Sequence, residues 1–586
     1  MEPTEQEQPT ENQQQQQPQP QQQQQQHLKR KPEQEPTTID GALSRLPKRR
    51  VAIMIGYYGR GYQGSQINPG TKTIEGTLFN AFVRAGCITQ DNSTHPNKVG
   101  LQRAARTDAN VSACCNLISL KLILNPPEIG HDKRMDQVEE EGQEDALHKS
   151  LIEQHSQTSY YPLIKHINRF LPSDMKIWEI IRVQNSFNPR SFCDSRVYEY
   201  SLPTWLFLPP KPGSPLHQRL MKLNQNCIKK TGEEEEEAEK EEDPEANWWN
   251  DHSNLLEKDF KSIQAERRGC YRISQMMIAR IKSVLDQFRG THNFHNLTVG
   301  KAFTERNAVR IMKDFTVSQP FLVGGSDPTN PKDDDDHQPL ENPPTEWISI
   351  TFHGQSFMLH QIRKMIGLLV LVCRTRTPVS IIKQLYGPRK VSIPKAPGIG
   401  LILRKLNFHG YNKKIQHINE QTLQRRNKKR KGARNGGDQD DDQLMIWDSI
   451  ECDRFEALFE RFKLETLFNR IFLNQTSQIS NEPQDSNPIT GDQKVDPVEL
   501  DTVKEEESGS KNSKPTSTKP PKSSRAAHKD DDDDEEIDEE DEDDDVVPVE
   551  KLEGEDPFGV WMNYLDVYTG PDLDFLNPDG ILPDDK

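Results

Sequence analysis

Between Asp530 and Asp545 the chain carries fifteen carboxylates and a single apolar side chain, Ile537. Such a run cannot bury enough surface to offset the entropy of ordering it, so it bounds what the remaining residues must do. Similar runs recur. They are a glutamine tract at Gln13–Gln26, acidic patches at Glu139–Asp145, Glu233–Glu245 and Asp333–Asp336, a basic patch at Arg425–Arg434, and a Ser/Lys/Pro stretch ahead of the acidic tail. Hydrophobic residues make up only 32% of the 586 positions. Removing the runs leaves roughly 300 residues, enough for one large core or two fused small ones.

The same runs distort the net charge. Setting aside Asp530–Asp545 (−15) and Glu233–Glu245 (ten acids less Lys240, −9) turns the formal −17 into +7. Part of that is the Arg425–Arg434 cluster, so the folded part is simply not acidic and admits a polyanionic partner. Eight cysteines occur without a C-x-x-C pair, and Cys114 and Cys115 are adjacent. This reads as a reduced, intracellular protein with no structural zinc site. No apolar run reaches about 18 residues, so no membrane span is expected. The polar N-terminus carries no signal-peptide pattern. Basic clusters at Lys29–Lys31, Lys48–Arg50 and Arg425–Lys431 fit nuclear import signals, and equally RNA-contacting or solvated loops.

Between the runs the periodicities alternate. Val51–Ile55 reads as a strand, and "TIEGTLFNAFVRAG" as a helix capped by Thr73, with Ile74, Leu78 and Phe82 inward and Gly86 as its end. Ile118, Leu120 and Leu122 alternate with Ser119 and Lys121 in a second strand. "HINRFLPSDMKIWEIIRV" supplies a helix and a strand, and "SRVYEYSL" a strand with Tyr198, Tyr200 and Leu202 on one face. A helix around Arg272–Phe288, strands at Val309–Val317 and Trp347–Phe352, and a helix from Phe357 to Cys373 follow. The expectation is an α+β fold, with two similar α/β halves on a largely antiparallel sheet.

Four stretches carry candidate chemistry. Gly59-Arg60-Gly61-Tyr62-Gln63-Gly64 matches G-x-G-x-x-G, yet about nine residues separate it from the next helix and no ribose-binding acid follows, so the dinucleotide reading fails. A glycine-rich loop passing close to nucleic-acid phosphates fits better. "RAARTDANVSA" sets Asp108 behind Arg103 and Arg106 at the start of an apolar segment, and alone it reads as a turn. In "FMLHQIRKMIG" Leu359, Ile362, Ile366 and Leu369 mark a buried helix face, beside which Arg363 either snorkels to solvent or pairs with a carboxylate. "GTHNFHNLT", Gly290–Thr298, is rich in His and Asn but lacks the further ligands of a metal site.

The last three of these stretches, with "KTIEGTLFNAF", "FNPRSFCDSRVYEYSLPT" and "PGIGLIL", occur in one order. In that order they resemble the TruA-type tRNA pseudouridine synthases, in their eukaryotic pseudouridine synthase 1 branch. The likeness covers residues 50–125, 155–207, 265–325 and 345–412, and Ile446–Phe462 resembles the closing helix of that branch. It implies an RRM-like sheet with a central RNA-binding cleft, and isomerisation of uridine to pseudouridine. By the resemblance Asp108 is the catalytic aspartate, Arg363 its ion-pair partner, and Tyr198 the tyrosine that stacks on the target base. Arg106, Arg103, His295 and His360 join Tyr198 as substrate-binding candidates. Asn110 stands where the family has glycine, which suggests a left-handed residue. An arginine beside Asp108 is expected to keep its pKa low enough for it to be charged at neutral pH.

No cofactor and no metal are expected. The partners are tRNA, with snRNA and mRNA as further candidates, and the chain reads as a nuclear monomer that touches no membrane. The alternative on the same fold is a catalytically weak RNA-binding or RNA-chaperone protein. The expected division is a disordered Gln-rich region (1–47), an N-terminal half (48–207, insert about 130–155), a disordered acidic insert (208–264) and a C-terminal half (265–412, insert about 325–345). A basic linker (413–443), a closing helix (444–472) and a disordered acidic tail (473–586) complete it.

Overall fold

Ten strands pair into one continuous sheet among the described residues of the computed structural model. Those residues are 46–127, 143–155, 158–231, 244–256, 258, 269–323, 344–432, 446–468, 556–567 and 576. The glutamine tract, the 333–336 patch, the 29–31 cluster and the 530–545 run lie outside them.

The strands are β1 (Lys48–Tyr57), β2 (Gln102–Arg103), β3 (Ser112–Ile123), β4 (Met175–Arg182), β5 (Ser195–Pro203), β6 (Gly290–Asn293), β7 (Val309–Val317), β8 (Phe321–Val323), β9 (Thr345–Gly354) and β10 (Leu401–Asn407). Their order is β4-β1-β3-β10-β5-β9-β7-β6, with β2 on β3 and β8 on β9. Every pairing is antiparallel except the short parallel contact of β10 with β3, at Ile402–Ser112 and Leu403–Ala113. The fold is therefore mixed α+β on a large, mostly antiparallel sheet. The expected break at residue 207 is not a break in the sheet, because β5 is hydrogen-bonded to β9 and β10.

The helices used below are α1 (Ile74–Arg84), α2 (Gln143–Glu153), α3 (Tyr161–Asn168), α4 (Pro215–Thr231), α5 (Pro244–Asp251), α6 (Gln275–Asp286), α7 (Gln361–Arg374), α8 (His409–Gly432), α9 (Glu456–Phe462) and α10 (Pro557–Val567). Local chemistry starts several of them. Thr73 Oγ1 accepts from Gly76 N at 3.2 Å ahead of α1, and Ser274 Oγ accepts from Met277 N at 3.0 Å ahead of α6. Helix α9 is tied to strands by buried carboxylates. Arg454 donates to both Glu179 oxygens at 3.0 Å, and Lys463 sits 3.2 Å from Glu199.

Several segments expected to lack structure are helical. In α2, His148 and Ile152 are buried, with His148 edge-on to Trp178 and Phe455. In α5, Trp248 and Trp249 are buried, and the Trp249 indole donates to Pro209 O at 3.0 Å. Glu245, counted among the solvated acids, is buried and accepts from Ser274 N at 2.9 Å and Ser274 Oγ at 2.8 Å. The dense charge around these residues hid a few large apolar side chains and one capping carboxylate. Residues 413–432 of the expected linker belong to α8, and 433–443 lie outside the described residues.

The tail corrects the expectation most. Helix α10 buries Phe558, Trp561, Met562 and Leu565, with Phe558 edge-on to Trp347 of β9 at 5.6 Å. Its Asp566 pairs with buried Arg374 at the end of α7, whose Nε donates to Leu208 O at 2.8 Å. The acidic run dominates the local composition and hides the apolar face of an eleven-residue helix. Trp561→Ala should therefore cost about 3–5 kcal/mol of stability. Denaturant unfolding of the full chain checks this, and a loss under about 1 kcal/mol would show that α10 is not part of the core.

Candidate active site

The Asp108 loop is short and held at both ends. Asn116 of β3 donates to Ala105 O at 3.0 Å and to Tyr57 Oη at 3.1 Å. Tyr57 in turn lies 2.9 Å from Thr107 Oγ1, all of it buried. The Thr107 backbone closes a two-bond ring with Ser65, Ser65 N to Thr107 O at 3.0 Å and Thr107 N to Ser65 Oγ at 2.9 Å. Asn110 then takes φ 62°, the left-handed turn its type suggests, and Val111 leads into β3.

The glycine-rich stretch finds its place here. A Cβ on Gly59 would run into the Val111 carbonyl, and Gly59 N donates to Ser112 Oγ at 3.0 Å. At Gly59 the close approach that requires glycine is to the protein's own Asp108 loop.

Helix α7 brings the opposite charge. Arg363 is 2% exposed, with Nη1 3.7 Å from Asp108 Oδ2 and Nε donating to Ala396 O at 2.7 Å. Ala396 N returns a bond to Arg363 O at 3.1 Å. The strap Pro394–Pro397 reaches α7 this closely because position 367 is glycine, where a Cβ would strike the Pro394 carbonyl. Tyr200 of β5 fixes the strap's far end by donating to Pro397 O at 2.8 Å. So Arg363 does not snorkel to solvent. Its guanidinium is divided between the strap and Asp108.

The helix begins later than its periodicity suggested. His360 takes φ 56° and α7 starts at Gln361, so Leu359 falls before the helix and is 43% exposed instead of inward. That turn brings His360 Nε2 to 3.6 Å from Asp108 Oδ2.

Asp108 keeps 20% of its side chain exposed. Burial nonetheless pushes its carboxyl above the ordinary aspartate value, and the charges of Arg363 and Lys395 pull it back only in part. The two cations thus oppose, without cancelling, the neutralisation that burial favours.

Tyr198 lies edge-on to Phe357 at 5.1 Å, and burial raises its phenol so that it stays protonated. Two positions earlier, Arg196 donates to the carbonyls of Cys193 (3.2 Å), Gln355 (2.8 Å), Ala104 (3.2 Å) and Arg190 (3.1 Å). It staples the Asp108 loop to those before β5 and after β9. The alternating Arg-x-Tyr-x-Tyr pattern was the signal for it, since an arginine on a buried strand must find acceptors.

Arg103 and His295 are not brought to the Asp108–Arg363 pair. Arg103 is committed to buried Glu75 of α1 through Nε and through Nη2, the latter 2.9 Å from Oε2. Arg106 is exposed on the loop itself. His295 is 1% exposed and edge-on to Phe303, and burial lowers its pKa. The segment turns inward because Asn296 donates to Leu385 O and Arg389 O and accepts from Val391 N, each at 2.9 Å.

A family model described as tRNA pseudouridine synthase matches residues 284–409. Curated proteins align over longer stretches. The chain is 36% identical over 457 residues to tRNA pseudouridine synthase 1 of Kluyveromyces lactis, covering 74% of this chain and 68% of that protein. It is 37% identical over 421 residues to tRNA pseudouridine synthase 1 of Saccharomyces cerevisiae, covering 67% and 68%. A tRNA pseudouridine(27/28) synthase of Saccharomyces cerevisiae is 32% identical over 381 residues, covering 62% and 86%.

Gly367→Ala tests the geometry alone. The added methyl meets a backbone carbonyl, so about 1–3 kcal/mol of stability should be lost. Denaturant unfolding reads this, and an unchanged midpoint would mean that the strap does not press on α7.

Proposed function

Because the chain belongs to the tRNA pseudouridine synthase family and is an isomerase acting on tRNA, we propose that Asp108 performs the chemistry, paired with Arg363 and beneath Tyr198. The observation that carries this is the convergence of one partly exposed carboxylate with a buried guanidinium and a neutral phenol. In the reaction the N1–C1′ bond of uridine breaks, the uracil turns, and C5 bonds to C1′ while C5 gives up its proton and N1 gains one. Atoms and charge balance without an oxidant or reductant.

Ionised Asp108 acts as nucleophile or base on the flipped nucleoside. Arg363 fixes that carboxylate and opposes its neutralisation. Tyr198 offers a flat, uncharged face on which the extruded uracil stacks. His360 and exposed Arg106 flank the entrance and contact the substrate.

We read the sheet as two RRM-like halves meeting at the β3–β10 seam, with the Asp108 loop entering β3 at that seam and RNA lying in the cleft over it. The short parallel contact supports this reading. The intact carboxylate and its cation favour turnover over a weak RNA-binding or chaperone role. A site that reads an extruded uridine accepts uridines in snRNA and mRNA as well as in tRNA. The basic cluster at Lys29–Lys31 supports nuclear residence, which a fluorescent fusion of the full chain would show.

Asp108→Asn should abolish pseudouridine formation, by about 10³-fold or more, while tRNA affinity stays near wild type. Arg363→Lys should lose about 10²-fold or more, because a point charge on a flexible stem cannot serve Ala396 and Asp108 together. The double change should be far from additive. Pseudouridine mapping on transcribed tRNA, with binding measured in parallel, checks all three. Near-wild-type turnover by Asp108→Asn would return that residue to a mere turn.

A further inference from the structure

A second basic site lies at the opposite end of the strands. A cavity of about 440 Å³ is lined by Lys48, Arg49, Arg50, Arg182 and Trp447, with the segment Val183–Ser186 closing one side. Four cations and no carboxylate line it, although Asp448 stands next to Trp447 and offsets part of the charge. Arg182 lies over the Trp447 ring, 5.9 Å from its centroid. Arg50 is spent on structure, donating to Gly100 O at 2.7 Å and Phe187 O at 3.3 Å. Lys48, Arg49 and Arg182 keep solvent access.

Trp447 connects this cavity to α8. Asn419 donates to Trp447 O at 2.8 Å and accepts from Trp447 N at 3.0 Å. Before Asn419 the helix is anchored through buried Phe408, Tyr411 and Ile415. Beyond it, Arg425, Arg426 and Lys428 are exposed, beginning about 9 Å farther along the axis at 1.5 Å per residue. A helix end that carries six basic residues and whose one large apolar side chain, Leu423, is exposed has no packing reason to be so long.

Position in the sheet sets the distance from Asp108. Arg49 pairs with Leu122 near the end of β3, whereas the Asp108 loop enters β3 at Ser112. At about 3.3 Å per residue the two lie about 30 Å apart. We propose that the Lys48–Arg49–Arg182–Trp447 cavity and the distal turns of α8 form one phosphodiester-binding surface. It grips the backbone of a folded RNA whose target uridine occupies the Asp108 site, so the proposal rests on that reading of the site.

The rival occupant for these clusters is a nuclear import receptor, which needs an extended basic peptide. Lys48–Arg50 are paired in register with Lys121–Ile123, and Arg50 is buried, so presenting them would open the first strand of the sheet. A partner that reads charge on a folded surface fits, and RNA is one.

The test uses the full chain and an unmodified tRNA transcript, with Kd measured over a salt series and kcat and KM beside it. Lys48→Ala/Arg49→Ala/Arg182→Ala should weaken binding about tenfold or more and reduce the slope of log Kd against log salt by about 2–3. Turnover at saturating tRNA should stay within about twofold, which also shows that the variant folds. Should it not fold, Arg425→Ala/Arg426→Ala/Lys428→Ala, on exposed helix, should reduce the slope in the same sense. Wild-type Kd and slope in the variant that folds would overturn the proposal, as would normal tRNA binding with lost nuclear entry of a fluorescent fusion. Asp108→Asn run in parallel separates the two claims. Its failure to lose turnover counts against the catalytic reading, whereas an unchanged salt slope in the basic variants counts against this surface.

Discussion

The contact on which the rest depends is the 3.7 Å approach of Arg363 to Asp108. The two are far apart in sequence, one on a loop ahead of β3 and the other on α7. Neither can drift far. Tyr57, Asn116 and Ser65 hold the loop, while the strap from Pro394 to Pro397 holds the arginine from behind. Helix α7 is also anchored at its other end, where Arg374 meets Asp566 of α10. The last described helix of the chain thus helps to position a guanidinium more than two turns away along α7.

Electrostatically the site is a compromise. Enclosing a carboxylate disfavours its charge, and here that effect exceeds the combined pull of Arg363 and Lys395. The ordinary value is not restored, but the cations limit how far it moves. A carboxylate so placed is less solvated, and therefore more reactive, than one in water. Removing its partner would leave a buried charge uncompensated, which typically costs about 3–5 kcal/mol. Arg196 contributes without touching the pair, by spending its donors on four carbonyls of the surrounding loops.

Much of this was legible in the sequence where one residue type has one cheap solution. Thr73 caps α1, Asn110 turns left-handed, and Val309–Val317 forms a strand with the expected ends. Arg363 on an apolar helix had two physical options, and burial of the whole helix selected the paired one. What could not be read depended on contacts remote in sequence. Arg103 looks like a site residue until Glu75 is seen to take it, and His295 looks available until Asn296 pulls its segment inward. The neighbour of the G-x-G-x-x-G stretch at Gly59, the Val111 backbone, is invisible without the fold. Composition failed in one direction only. Acidic density around residue 245 and in the tail masked Glu245, Trp248, Trp249 and Trp561, each buried.

The central claim is that Arg363 opposes the neutralisation of an aspartate that must be ionised to react. Its most direct test is the pH dependence of single-turnover tritium release from tRNA carrying C5-labelled uridine, for wild type and Arg363→Gln. A carboxyl raised by burial loses its charge, and the rate with it, as pH falls through its shifted value. Wild type should therefore show an acid limb above the usual aspartate range, and loss of the guanidinium should move that limb to higher pH as well as lower the plateau. An acid limb at the same pH in both proteins would contradict the account.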